Sequence, residues 1–172
     1  HVAPTPIDPG AYRELRIAPR AVFDRLPDYA DRARFMLPQA NGGWQAVTWG
    51  ELAAMIRECA LFLAESGLAP GDRAAILAPN GVPWVAAALA IQAAGGVMVP
   101  IYPSSTADDC AYILGDSATG FVFAEDATQV AKLTQRRAAL TSVRQVIAFD
   151  GPGSADGWVI PLAALRERGR AR

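Results

Sequence analysis

Residues 70–102 read Pro-Gly-Asp-Arg-Ala-Ala-Ile-Leu-Ala-Pro-Asn-Gly-Val-Pro-Trp-Val-Ala-Ala-Ala-Leu-Ala-Ile-Gln-Ala-Ala-Gly-Gly-Val-Met-Val-Pro-Ile-Tyr, and their order decides the fold class. Pro70-Gly71-Asp72 is a turn, and 73–78 is a strand, opened by Arg73 and apolar from Ala74 onward. Asn80 is expected to start a helix, with Pro83 tolerated in its first turn. Gly95-Gly96 stops that helix, and 97–102 is a second apolar strand. Two strands joined by a helix across the sheet make one parallel crossover unit.

The same alternation extends on both sides. Upstream, 34–37 and 44–47 are short strands around Asn41-Gly42-Gly43, which predicts a β-hairpin. Thr48-Trp49-Gly50-Glu51 has the form of a capping box opening a helix that runs to about residue 66. Leu52, Met55, Ile56, Cys59 and Leu63 give that helix an apolar face, and Gly67 ends it. Downstream, Ser104-Ser105-Thr106 precedes a helix to about 114, with Asp108 and Asp109 placed to complement its positive end. A strand at 120–124, a helix from Asp126 to about 140, a last strand at 143–149, a Gly/Pro/Ser loop at 150–157 and a short helix at 161–168 follow. Buried strands alternating with helices predict an α/β fold, a mainly parallel sheet with helices on both faces, plus the short N-terminal hairpin. Residues 1–20 carry Pro4, Pro6, Pro9 and Pro19 and are expected to be irregular. A helix interrupted by Pro27 is expected over 21–32, so that 21–172 forms one α/β subdomain.

The chain has 172 residues and a net charge of -1, which gives no steering toward nucleic acid or an anionic membrane. A domain of this size buries roughly 70% of its unfolded surface and needs no staple. The hydrophobic share is 52%, which reads either as apolar surface meant to meet another subunit or domain, or as an alanine-rich composition inflating the index. The uncharged run 82–102 is broken by Pro83, Gln92, Gly95-Gly96 and Pro100, so a helix of about a dozen residues and a strand fit it better than a membrane span. No secretory leader is visible in the Pro- and charge-rich start, and His1 in place of Met suggests a processed or trimmed product. Cys59 and Cys110 have no metal-like spacing and are expected as buried thiols of a cytoplasmic protein. His1 is the sole histidine, which argues against zinc sites and His-dependent triads. Lys132 is the sole lysine and is expected to be solvated, as are Arg136-Arg137.

Catalytic signatures are mostly absent. There is no G-x-x-x-x-G-K-[ST] loop, no G-x-G-x-x-G and no G-x-S-x-G. Asp108 and Asp109 are neighbours on a helix and point about 100° apart, a poor acid/base pair. Ligands of parallel sheets bind beyond the carboxyl ends of the strands. Two segments fall there, Pro79-Asn80-Gly81 and Pro103-Ser104-Ser105-Thr106. Asn80, Ser105 and Thr106 read either as anion contacts or as caps of their own helices. Trp49, Trp84 and Tyr102 read as core or rim aromatics rather than ligand platforms.

In order along the chain, four segments resemble the AMP-forming acyl-CoA synthetases of the adenylate-forming superfamily. WQAVTWGEL at 44–52 looks like that family's T-[YW]-x-E-L segment. GDR at 71–73, followed by an apolar strand and Pro79-Asn80, resembles its G-D-R-V-a-i-l-x-x-N. AAGGVMVPIY at 93–102 is similar to its a-G-a-v-x-V-P-l-y, and YILGDS at 112–117 to its y-i-L-n-d-s. The likeness spans about 21–149, and Pro100-Ile101-Tyr102-Pro103 leans toward the long-chain fatty-acid branch.

The resemblance implies the first part of the large N-terminal domain of a fatty acid–CoA ligase. The parent would join a fatty acid or other carboxylate to ATP with Mg2+, then pass the acyl group to CoA. The family's Ser/Thr/Gly phosphate loop, its acidic Mg2+ and ribose contacts and its C-terminal-domain lysine have no counterpart here. No catalytic or metal residue is therefore carried over, and this chain alone is expected to be inactive and to bind none of these cofactors. Only position suggests that Tyr102, Ser104, Ser105 and Thr106 lie near the acyl or CoA channel. The expected partners are the remainder of the enzyme and, as a further option, a second copy. The alternatives are a stand-alone interaction or dimerisation module and a nucleotide-binding regulator of flavodoxin-like shape.

Overall fold

The structure, a computed structural model, describes residues 17–171. The expectation of an irregular start therefore lies, for 1–16, outside the described residues. Two short helices come first, α1 (Ala18–Phe23) and α2 (Leu26–Tyr29). The helical segment begins at Ala18 rather than 21 because Pro19, at the first turn, fits a helix start. Strands β1 (Ala33–Pro38) and β2 (Trp44–Thr48) form the expected antiparallel hairpin.

The sheet that organises the molecule has five strands: β3 (Arg73–Leu77), β4 (Val97–Ile101), β5 (Phe121–Ala124), β6 (Gln145–Ala148) and β7 (Val159–Pro161). All neighbours are parallel, in the order β4-β3-β5-β6-β7. The last of these corrects the reading that the strand near 143–149 is the final one. Trp158-Val159-Ile160 is too short a run to show periodicity, yet Val159 and Ile160 are buried and pair with Val146 and Ile147.

Alternate residues of each strand point to opposite faces, and the helices divide accordingly. Ala74, Ile76, Phe121, Phe123, Ile147 and Ile160 face α3 (Trp49–Glu65), α4 (Val82–Ala93) and α7 (Leu162–Arg170). Ala75, Leu77, Val122, Ala124, Val146 and Val159 face α5 (Ala107–Asp116) and α6 (Ala127–Gln135). Ala74, small and on the face toward α3 and α4, leaves room beside β3 for that closely packed helix pair. The nearly all-apolar α4 is buried along Ala86, Ala87, Ala90 and Ile91. It is 12 residues long, and no described helix is long and apolar enough to cross a membrane.

Three boundaries differ from expectation. Helix α4 starts at Val82, with extended Gly81 as its cap and no side-chain bond, so Asn80 does not cap it. Helix α6 ends at Gln135, and a 3-10 turn (Arg137–Ala139) continues toward Leu140. Helix α7 continues to Arg170, because both Arg166 and Arg170 reach Glu58 of α3. That docking is close: a Cβ on Gly169 would overlap the backbone carbonyl of Glu58.

Candidate functional site

The carboxyl ends of the five strands emerge on one edge. From β3 the chain rises to α4 on one side, and from β5 it rises to α6 on the other face. Connections that run in opposite directions leave a crevice between β3 and β5, the topological switch point where ligands of such sheets sit. The crevice here is about 260 Å³ and is lined by Asn80, Gly81, Trp84, Glu125, Phe149 and Asp150, among others. Its two carboxylic residues make it a poor host for phosphate.

A second cleft of about 460 Å³ opens beside it, between the ends of β3 and β4. Pro79, Asn80 and Trp84 form one wall, and Pro100, Ile101, Tyr102 and Pro103 form the other. Tyr102 is 80% exposed at its mouth. The lining is mostly aromatic and prolyl, with few polar groups, which suits an apolar group rather than a charged one.

The loop carrying Tyr102 is held from two sides. Its turn closes with the Ser105 N–H donating to the Tyr102 carbonyl at 2.9 Å. Thr106 then caps α5: its hydroxyl oxygen accepts from the Asp109 N–H at 3.1 Å, while the Asp109 carboxylate accepts the Thr106 N–H at 3.0 Å. The bonds from the Thr106 hydroxyl and N–H hold the Asp109 carboxyl below its usual range. From the other side, Lys132 of α6 donates through Nζ to the carbonyls of Pro103 at 2.6 Å and Ser105 at 2.8 Å. Lys132 is thus not a solvated side chain, as its amphipathic surroundings suggest, but a partly buried clamp. The arginines beside it are also engaged. Arg136 pairs with Asp108 at 2.5 Å, and Arg137 pairs with Asp156 at 2.5 Å while stacking over Trp158. The Arg136 bond lowers the Asp108 pKa.

Of the four residues singled out by position, Tyr102 lines the cleft. Ser104 and Ser105 lie on its loop, Ser105 contributing a carbonyl to the lysine clamp, and Thr106 is committed to capping α5. Asn80 and Trp84 face that loop across the cleft, a pairing that only the register of β3 against β4 could reveal. Glu125 and Asp150 had no sequence signal, because nothing local distinguishes a carboxylate after a strand from any loop residue. Trp49 packs edge-on against Tyr29 near the hairpin, as a rim aromatic.

With this geometry in view, the relationship to known proteins is direct. The model of the AMP-binding enzyme family matches residues 23–169. The chain belongs to the AMP-binding enzyme family. A long-chain-fatty-acid–CoA ligase of Mycobacterium bovis, FadD15, is 39% identical over 133 residues, covering 76% of this chain and 21% of that protein. Among solved structures, the anthranilate CoA ligase AuaEII in complex with anthranoyl-AMP superposes with a TM-score of 0.78 at 16% identity, over 90% of this chain and 29% of that one. The N-terminal domain of FACL13 from Mycobacterium tuberculosis gives 0.67 at 23% identity, over 91% and 36%. These two likenesses establish the fold alone, the helix-covered parallel sheet described above. The chain spans about a fifth of the length of the curated ligase it matches.

Among the described residues, no group of three or more His, Cys, Asp or Glu could hold a metal ion. The strand-to-helix connections after β3 and β5 hold no lysine. No catalytic step is therefore assigned to ATP or Mg2+ here.

Proposed function

We propose that this chain is the scaffold portion of an ATP-dependent, AMP-forming long-chain fatty acid–CoA ligase. The intact enzyme would activate a fatty acid as its acyl-adenylate, with Mg2+, and transfer the acyl group to CoA. The observation that carries this reading is the 39% identity to a long-chain-fatty-acid–CoA ligase over three quarters of the chain. The apolar cleft between Trp84 and Tyr102 supports it chemically, since burying an acyl or pantetheine methylene contributes about 0.8 kcal/mol each. In this reading Tyr102, Ser104, Ser105 and Thr106 border the acyl or CoA channel. Phosphate-gripping and metal-holding groups come from the remainder of the enzyme, its main partner. The buried free thiols Cys59 and Cys110 accord with a cytoplasmic, reducing setting.

The test is ATP–pyrophosphate exchange by this chain alone, with saturated fatty acids of increasing length. No exchange above a protein-free blank is expected. Exchange by these residues alone would overturn the scaffold reading.

A further inference from the structure

Lys132 occupies an unusual position. It is the sole lysine of the sequence, in a chain that uses arginine for nearly every cation. It projects from the middle of α6, and its one ammonium group meets two main-chain carbonyls of a different connection, those of Pro103 and Ser105. Both bonds are short, at 2.6 and 2.8 Å, and partly buried. A compact ammonium can direct separate N–H groups at two carbonyls of one tight turn, whereas a planar guanidinium presents its donors in a fixed fork.

The clasped turn is the one that carries Tyr102 and Pro103 into the cleft wall, opposite Trp84. Its downstream end is fixed by the Thr106–Asp109 capping box and its upstream end by β4, so the Pro103 and Ser105 carbonyls lie between two anchored ends. Carbonyls of a surface turn are ordinarily left to water. Here they are drawn toward α6.

We propose that Lys132 is a positioning residue: by drawing the Pro103 and Ser105 carbonyls toward α6, it sets the distance between Tyr102 and Trp84 and so the width of the cleft. The placement of the cleft in an acyl or CoA channel rests on the function proposed above; the clamp itself does not.

The test uses this chain with 5-fluorotryptophan and amide hydrogen exchange, comparing the native protein with K132M. The variant keeps the methylene stem and loses the donors. Exchange at Ser105 and Thr106 is expected to rise about tenfold or more, the least that losing a hydrogen bond from a charged donor gives. Val122 and Phe123 of β5 report global unfolding, and their rates are expected to rise by no more than the same factor, because a bond lost from the native state lowers global stability too. The fluorine resonance of Trp84, assigned with W84F, is expected to move, while that of Trp44 in the hairpin stays. Unchanged exchange at Ser105 and Thr106 would overturn the clamp, and an unmoved Trp84 resonance would overturn the proposal by reducing Lys132 to a general stabiliser.

Should K132M fail to fold, the unmodified protein still decides the matter, because a single lysine leaves one side-chain amine, whose methylation peptide mapping separates from that of the terminal α-amine. Reductive methylation of Lys132 is expected to be at least about tenfold slower in the folded chain than in urea. Equal rates would refute the clamp. None of these readouts depends on ligase activity, so a failure of the functional reading leaves them unaffected, and the reverse also holds.

Discussion

Replacing Glu58 by Gln probes how the outer helices are held over the sheet. Glu58 lies on α3 with 9% of its side chain exposed, and receives Nε of Arg166 at 2.5 Å and Nε of Arg170 at 3.0 Å, both from α7. An exposed pair would contribute up to about 1 kcal/mol, and breaking a fully buried one costs about 3–5 kcal/mol. This cluster lies between those limits, because Glu58 is buried while Arg166 and Arg170 keep 29% and 65% of their side chains in solvent. Glutamine retains one acceptor oxygen and loses the charge, so the substitution costs about 2 kcal/mol. For a domain of this size that lowers the melting temperature by about 4–8 °C.

The pH dependence has a definite sign. Burial alone would raise the Glu58 pKa, but hydrogen bonds and charge from Arg170 and Arg166 outweigh it and hold the carboxyl below its ordinary 4.5. A depressed native value gives stability that is present above the unfolded-state pKa and lost as pH falls through the native one. Thermal melts of native chain and E58Q should therefore differ by a constant amount from pH 8 to 6 and converge below about pH 4.5. A gap under about 1 °C at pH 7, or one that persists undiminished at pH 3.5, would refute the reasoning.

Two further outcomes follow from particular contacts. T106A removes the hydroxyl half of the α5 capping box and should cost about 1 kcal/mol in urea melts, with faster exchange of the Asp109 amide; an unchanged midpoint would contradict the capping role. Burial pushes the Cys59 thiol up to about 12 and also raises Cys110, so neither should react with Ellman's reagent at pH 8 until the chain is unfolded, and prompt reaction of one thiol in the native chain would contradict the packing.

Much of the architecture could be read from local pattern, and the exceptions share a cause. Strands β3, β4 and β5 are apolar runs between turn residues, and α3 carries both its capping box and its apolar stripe, so each announces itself within a few residues. Strand β7 does not, because three residues after a Gly/Ser loop acquire strand geometry only from pairing with β6. The five-strand order around β3 depends on which crossover passes over which face, and no single segment encodes that. The same holds for the site. Tyr102 could be placed at the sheet edge from its strand alone, whereas its apposition to Trp84 depends on β3 pairing with β4 in register. Lys132 was misread because it lies 29 residues from Pro103 in sequence, and its solvated appearance came from its own helix. Charged side chains were the least legible throughout: Glu58 with Arg170, Asp108 with Arg136, and Arg137 with Asp156 all find partners on other elements.

The most direct test of the proposed function is ATP–pyrophosphate exchange by the full product of the reading frame that contains residues 1–172, measured across carboxylates from acetate to long-chain fatty acids. The account predicts exchange that requires a long-chain fatty acid and is followed by thioester formation when CoA is added. A full-length product that binds fatty acid yet supports no exchange with any carboxylate would contradict it.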